Sequence, residues 1–191
     1  MTRALATHAP GGVRTNNAVH WRTAEWGQVG GWKIRVDRTL GNGGCFAFQS
    51  YEDGSVIRLG FNPERKTIYF LLGNPSWKSL EVGKKYLIVF EFDGFDRYDG
   101  ELTGITLGDS KSVVLDHNNV SVKFTEAFMQ RSVMRVYYQN SRIASLSLAN
   151  TYAAIGEVLN CQAEFNRSNG GLNVSNPFRS GGGTRTDPFS R

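Results

Sequence analysis

Short apolar segments separated by turn residues at regular intervals limit most strongly what this chain can fold into. Trp32–Val36 alternates apolar and polar residues, as a half-buried strand does. Asp53-Gly54 and Asp93-Gly94 are typical of tight hairpin turns, because both residue types accept turn geometry. By the same pattern, further strands are predicted at 45–51, 55–61, 66–72, 86–92, 101–107, 112–115, 133–138 and 142–148. The spacing predicts antiparallel strands joined by short turns.

Helical patterning is confined to the second half of the chain. Residues 125–131 are predicted to form a short helix. A second helix is expected after Asn150, a candidate N-cap, because Ala154 and Val158 recur at helical spacing up to about Cys161. Many strands followed by a closing helix predict a mainly β fold. We expect an antiparallel β-sandwich or barrel closed by one C-terminal helix, with extended N- and C-terminal arms.

The composition changes at both ends. The 191 residues fit one domain with extensions, and only 20% of them are charged. We therefore divide the chain into an extended arm (1–25), a β-sandwich or barrel domain (26–165) and a flexible tail (166–191). The first twenty residues contain no apolar signal segment, and no stretch is apolar enough to span a membrane.

The arms contain the candidate partner-binding residues. Two tryptophans lie where the first arm meets the domain, and two Pro-Phe motifs with a nearby Arg lie in the tail, where they are either docking anchors or a coincidence of composition. The net charge is +5, but the arginines are scattered, which favours protein partners over nucleic acid. The candidates are Trp21, Trp26, Pro177, Phe178, Arg179, Pro188, Phe189 and Arg191.

Signatures of enzymes are absent from the sequence. It contains no GxSxG, P-loop or HExxH motif. His117 follows Asp116 in a predicted turn, but no nucleophile is paired with it, and a solvated side chain is the simpler interpretation. The acidic residues between Asp93 and Glu101 do not match a calcium loop. We expect no catalysis, no cofactor and no metal.

The chain has two cysteines, Cys45 and Cys161, without a CxxC motif. They are either two buried thiols or a long-range disulfide between an early strand and the late helix. A disulfide would indicate an oxidising compartment or a particle that matures outside the cell.

A set of loosely spaced motifs resembles a known family. Gly31-Trp32 precedes a strand that is followed by Cys45, and Asn74 and Trp77 precede the segment Ser79–Tyr86, of pattern SLxxGKxY. Leu148, Ala153, Leu159 and Cys161 match a late helix, and Asp187–Phe189 a tail motif. These features resemble the invasion-associated locus B proteins of alphaproteobacteria, which are secreted or periplasmic β-proteins without known catalysis. The resemblance implies that Cys45 and Cys161 are disulfide-bonded. The sequence departs from this family in lacking a signal segment, which argues against periplasmic export. A phage-borne form of the family is the other alternative.

The arms favour one functional interpretation and the resemblance another. The first is a virion component made in the host cytoplasm, such as a capsid decoration, neck or tail accessory protein of a bacteriophage. Such a protein docks on other subunits of an oligomeric assembly through its arms. The alternative is a periplasmic or secreted binding protein similar to the family above. Neither has an enzymatic activity.

Overall fold

The computed structural model describes residues 23–37, 44–62, 65–107 and 112–168. Within these ranges it forms ten strands and two helices. The strands are β1 (Thr23–Val29), β2 (Trp32–Asp37), β3 (Gly44–Ser50), β4 (Val56–Asn62), β5 (Thr67–Gly73), β6 (Lys85–Phe92), β7 (Asp96–Thr106), β8 (Val113–His117), β9 (Val133–Tyr138) and β10 (Ser141–Ser147). The helices are α1 (Val122–Gln130) and α2 (Thr151–Ser168).

The strands form one ten-stranded sheet in the order β1-β2-β3-β4-β5-β8-β7-β6-β9-β10. All neighbouring pairs are antiparallel. The predicted mainly β, antiparallel fold class with a C-terminal helix is confirmed. Strand β1 was not predicted, and it begins at Thr23, before the expected start of the domain at residue 26.

The sheet is strongly curled. Phe70 on β5 and Phe90 on β6 are separated by two strands, which in a flat sheet would place them about 14 Å apart. Their ring centroids are 5.5 Å apart. The Tyr51 hydroxyl, just after β3, donates a hydrogen bond of 2.8 Å to the carbonyl of Ser147 at the end of β10. The sheet therefore has an enclosed inner face and an outer face.

Helix α1 fills one end of the inner face with aromatic side chains. Ser121 caps its N-terminus by accepting a 3.1 Å hydrogen bond from the Phe124 amide. Phe124 packs edge-on against Phe70 and Phe90 at 5.4 and 5.1 Å, and Phe128 lies 5.7 Å from Trp32. The helix begins earlier than the predicted residue 125, because Ser121 is a good cap.

Helix α2 packs on β1, β2 and β3 and against α1. Its Cys161 forms a disulfide with Cys45 on β3, with the two Cα atoms 6.0 Å apart. The disulfide alternative is therefore the one that the structure contains. The side-chain oxygen of Gln162 accepts a 2.8 Å hydrogen bond from the Cys45 amide, so α2 is fixed to β3 at two adjacent points. The helix continues to Ser168, beyond the predicted end near Cys161.

Both outermost strands of the sheet carry a β-bulge. On β1, Glu25 pairs with Arg35 and Gly27 with Ile34, so Trp26 is the extra residue. On β10, the register shifts between Arg142 and Ala144, so Ile143 is the extra residue. Bulges twist a strand and change the direction of a side chain. They also make an outermost strand a poor template for pairing with another chain.

Candidate functional site

The predicted partner-binding residues fall mostly outside the described part of the chain. Trp21 and the six residues of the two Pro-Phe motifs lie there, so their role stays a prediction. Trp26 is described: it is the bulged residue of β1, and 36% of its surface is exposed. Its position at the margin of the sheet leaves it accessible to a partner.

A larger feature is an open cavity of about 440 Å³ on the inner side of the sheet. We call it the loop cavity, because the segment 76–84 forms one side of it. The strand residues that line it are Tyr86, Ile88, Leu115, Tyr138 and Ile143, and the loop residues are Ser76, Trp77, Ser79, Leu80, Glu81 and Lys84. Its volume lies within the roughly 300–1,000 Å³ typical of small-molecule sites.

The loop cavity exists because the two helices cover the other part of the inner face. Helix α2 contacts β1–β3, while α1 packs on the aromatic cluster around Phe70 and Phe90. The first half of β6, with Tyr86 and Ile88, is faced by the 76–84 segment instead. A single loop fills less volume than a helix with its side chains, so space remains beneath it.

This loop is held at both ends by hydrogen bonds. At its start, Asn74 donates to the Asp53 carbonyl and accepts from the Ser76 amide at 2.9 Å. At its end, the Gly83 amide donates to the Gly104 carbonyl at 2.8 Å, and the Gly104 amide donates to the Lys84 carbonyl at 2.9 Å. A Cβ atom on Gly104 would lie 2.2 Å from the Glu81 carbonyl oxygen, so only glycine permits this close approach.

The floor and walls of the loop cavity are apolar and aromatic. Ile88 and Leu115 form the floor, and each of these residues is 1% exposed. The rings of Tyr86 and Tyr138 pack edge to face with centroids 5.8 Å apart. Ile143 lines the wall from the bulge of β10, where the extra residue redirects its side chain. Partly buried Trp77 packs against this core from the loop.

Charges occur only at the mouth, where they pair with each other. Lys84 Nζ lies 2.5 Å from Glu81 Oε1, and both side chains are more than half exposed. The hydrogen bond to Glu81 raises the pKa of Lys84, so its ammonium group stays charged at neutral pH. The Tyr86 hydroxyl accepts a 2.8 Å hydrogen bond from the Glu81 amide. The mouth therefore offers hydroxyl groups and a neutralised ion pair to a bound molecule.

One structural similarity agrees with the motifs found in the sequence. The fold resembles the crystal structure of invasion associated protein b from Bartonella henselae, with a TM-score of 0.53 and 11% sequence identity over 72% of this chain and 97% of that chain. No protein-family model matches the chain, and no curated protein matches it. The predicted resemblance is thus confirmed for the fold.

One part of the sequence resemblance, the segment from Asn74 to Tyr86, borders the loop cavity. Asn74 anchors the loop, Trp77 forms a wall, and the SLxxGKxY segment supplies the mouth and Tyr86. Sequence reasoning singled out these residues but predicted no cavity. The aromatic residues of this motif, Trp77 and Tyr86, were the feature of the sequence that could have indicated a binding site. Tyr138 and Ile143 could not be predicted as part of the site. They lie far from Tyr86 in the sequence and reach it only because β9 pairs with β6 and β10 pairs with β9.

The outer face carries a buried polar cluster that the sequence did not predict. Arg58 Nη2 lies 2.5 Å from Asp37 Oδ2, and Arg58 Nε donates to the Tyr69 hydroxyl at 2.6 Å. The guanidinium also lies 3.7 Å from the centroid of the Phe46 ring. All four residues are less than a tenth exposed. Burial raises the pKa of Tyr69, so its hydroxyl stays protonated.

Among the described residues, no group of three or more His, Cys, Asp or Glu is placed to hold a metal ion. His117 lies half-buried at the end of β8, where burial lowers its pKa, so it is not the fully solvated turn residue that was expected. No helix in the described ranges is both long and apolar enough to cross a bilayer.

The raised pKa of the Asp116 carboxyl predicts that the stability of the fold depends on pH. Burial raises the pKa of this carboxyl to about 6 from 3.8, against the opposing effect of Arg65, Asn118 and Arg58. Because the folded state holds the proton more tightly, the contribution to stability is complete below about pH 4 and is lost as the pH rises through 6. We expect Asp116→Asn to raise the free energy of unfolding by about 1–2 kcal/mol at pH 7.5 and to have no effect at pH 3.5.

Urea unfolding across this pH range measures the effect. The matched control is Asp99→Asn, since Asp99 is exposed on β7. A difference between wild type and Asp116→Asn that is the same at both pH values would contradict the assignment.

Proposed function

We propose that this chain is a non-enzymatic binding protein of the periplasm or the extracellular space. The disulfide supports an oxidising compartment, because such bonds are rare in proteins of the reducing cytosol. The similarity of the fold to invasion associated protein b favours the same interpretation over a virion component. The virion interpretation depended on the two arms and stays a prediction.

The loop cavity carries the binding part of the proposal. It is open to the surface, it reaches the buried Ile88 and Leu115, and tyrosine and tryptophan line it. Apolar pockets with a few polar groups at the mouth are the usual form of a small-molecule site. Because Lys84 and Glu81 neutralise each other, no charge at the mouth requires a charged ligand. The ligand class is therefore a neutral amphiphile, with an apolar body below Trp77 and a hydroxyl-bearing head near Ser76 and Ser79.

A fluorescent titration tests this proposal. N-phenyl-1-naphthylamine is neutral and apolar, and its emission rises when it leaves water. We expect it to bind the protein and to be displaced by monodecanoylglycerol. Trp77→Ala should weaken binding by about tenfold, because the removed indole forms a wall of the cavity.

The matched control is Leu87→Ala. Leu87 lies on β6 between Tyr86 and Ile88 but is 66% exposed on the opposite face of the sheet. The Leu87→Ala variant should bind the probe with the same affinity as the wild type. Equal affinity of the wild type and Trp77→Ala, or no rise in emission with any of the three proteins, would refute the proposed site.

A further inference from the structure

A second, smaller cavity of about 180 Å³ lies on the outer face of the sheet. We call it the outer cavity. Its apolar wall includes Phe46, Phe48 and Leu71, and two arginines, Arg35 and Arg58, also line it. The loop cavity is on the opposite face, so the two sites share no lining residue.

Strand register places the aromatic residues between the two arginines. Arg35 on β2 lies opposite Phe46 on β3, and Phe48 on β3 lies opposite Arg58 on β4. Aromatic rings thus occupy the middle strand, with one cation on each flanking strand. Such a face combines an apolar surface with positive charge.

The two arginines differ in their partners. Arg58 donates to Asp37 and to the Tyr69 hydroxyl, so its guanidinium is already held. The Nε atom of Arg35 is buried, and it has no hydrogen-bond partner in the part of the chain that the structure describes. Arg35 as a whole is half-buried and lines the cavity, and a carboxylate is the acceptor that best fits its planar guanidinium.

We propose that the outer cavity binds a small aromatic carboxylate. The ring packs among Phe46, Phe48 and Leu71, and the carboxylate accepts hydrogen bonds from Arg35. The size is suitable, because an apolar cavity of about 150 Å³ is known to hold a benzene ring. The proposal is independent of the ligand of the loop cavity.

The test uses phenylacetate as the anionic probe and 2-phenylethanol as its neutral counterpart. Isothermal titration of the full chain should give a dissociation constant for phenylacetate of about 1 mM or lower. We expect 2-phenylethanol to bind at least about tenfold more weakly, because it lacks the acceptor pair for Arg35. The comparison of the two probes uses the wild-type protein alone, so it does not depend on whether a variant folds. Equal affinity for both probes, or no phenylacetate binding up to about 10 mM, overturns the proposal.

Variants locate the site. Arg35→Gln should weaken phenylacetate binding by about tenfold and leave 2-phenylethanol unchanged. Lys33→Gln is the matched control, since Lys33 lies on the same strand, faces the same side and is exposed. It should bind as the wild type does. Phenylacetate binding that survives Arg35→Gln but is lost in Trp77→Ala overturns the outer cavity as the site while leaving the loop cavity as a binding site.

Discussion

Replacing both Cys45 and Cys161 with alanine is expected to lower the free energy of unfolding by about 4 kcal/mol. The bond joins residues separated by 116 positions, so its loss greatly increases the conformational freedom of the unfolded chain. It also removes the covalent link between α2 and β3, which leaves only their packing and the Gln162 hydrogen bond to hold them together. Urea denaturation measured by circular dichroism gives the difference.

A reducing agent supplies the control for this prediction. Dithiothreitol should lower the stability of the wild type toward that of the double variant and leave the variant unchanged. Mass analysis after alkylation of the native protein should find no modified cysteine. Two alkylated cysteines in the native protein, or a loss below about 1 kcal/mol, would contradict the structural role given to the bond.

Replacing Arg58 with methionine is expected to cost about 3–5 kcal/mol. The change removes the guanidinium beside Asp37, whose carboxylate stays buried with 4% of its surface exposed. It also removes the hydrogen bond to the Tyr69 hydroxyl. A buried charge that loses one of its hydrogen-bonding partners costs more free energy than the loss of an exposed ion pair does.

The double variant Arg58→Met with Asp37→Leu tests the reason for this loss. Removing both charges should recover most of the stability, because replacement of a buried ion pair by apolar groups is often neutral. Arg135→Met is the comparison, since its pair with Glu91 is 3.2 Å long and both side chains are a quarter or more exposed. A similar small loss in Arg58→Met and Arg135→Met would contradict the account of the outer face.

The disulfide and the Arg58 cluster stabilise parts of the fold that lie outside the loop cavity. The disulfide and Gln162 fix α2 over β3, and the aromatic residues of α1 fill the end of the sheet around Phe70. The buried Arg58 cluster stabilises β2–β5 from the outer face. The residues that line the loop cavity belong to or pack against the same apolar core, so these interactions stabilise the surroundings of the proposed site.

Most strands could be predicted from apolar segments bounded by turn residues, but β1 could not. Its bulge at Trp26 interrupts the two-residue period, and Gly27 and Gln28 give it the composition of a loop. The far end of α2 was missed for a related reason. Gln162 lay beyond the predicted end of the helix and Asn166 in the predicted tail, yet Gln162 is buried and bonded to the Cys45 amide. Tertiary contacts, rather than local sequence patterns, determine the structure of β1 and of the end of α2.

The candidate sites were less accessible to sequence reasoning than the fold. Trp77 and Tyr86 were recognisable within a motif, but nothing local shows that β9 pairs with β6 and brings Tyr138 beside Tyr86. The redirected side chain of Ile143 depends on a bulge, which the sequence pattern does not reveal. The outer cavity likewise depends on the register that places Phe46 between Arg35 and β4.

An NMR titration of the isotope-labelled chain with monodecanoylglycerol tests the central claim most directly, because it locates the ligand without any substitution. We predict chemical-shift changes at the Trp77 indole N–H, the Ile143 and Leu115 methyl groups and the Tyr138 ring, all of which line the loop cavity. The exposed Leu87 methyl groups on the other side of β6 should not shift. Shifts confined to the outer face, or none at Trp77 and Ile143 at saturating ligand, would contradict the claim.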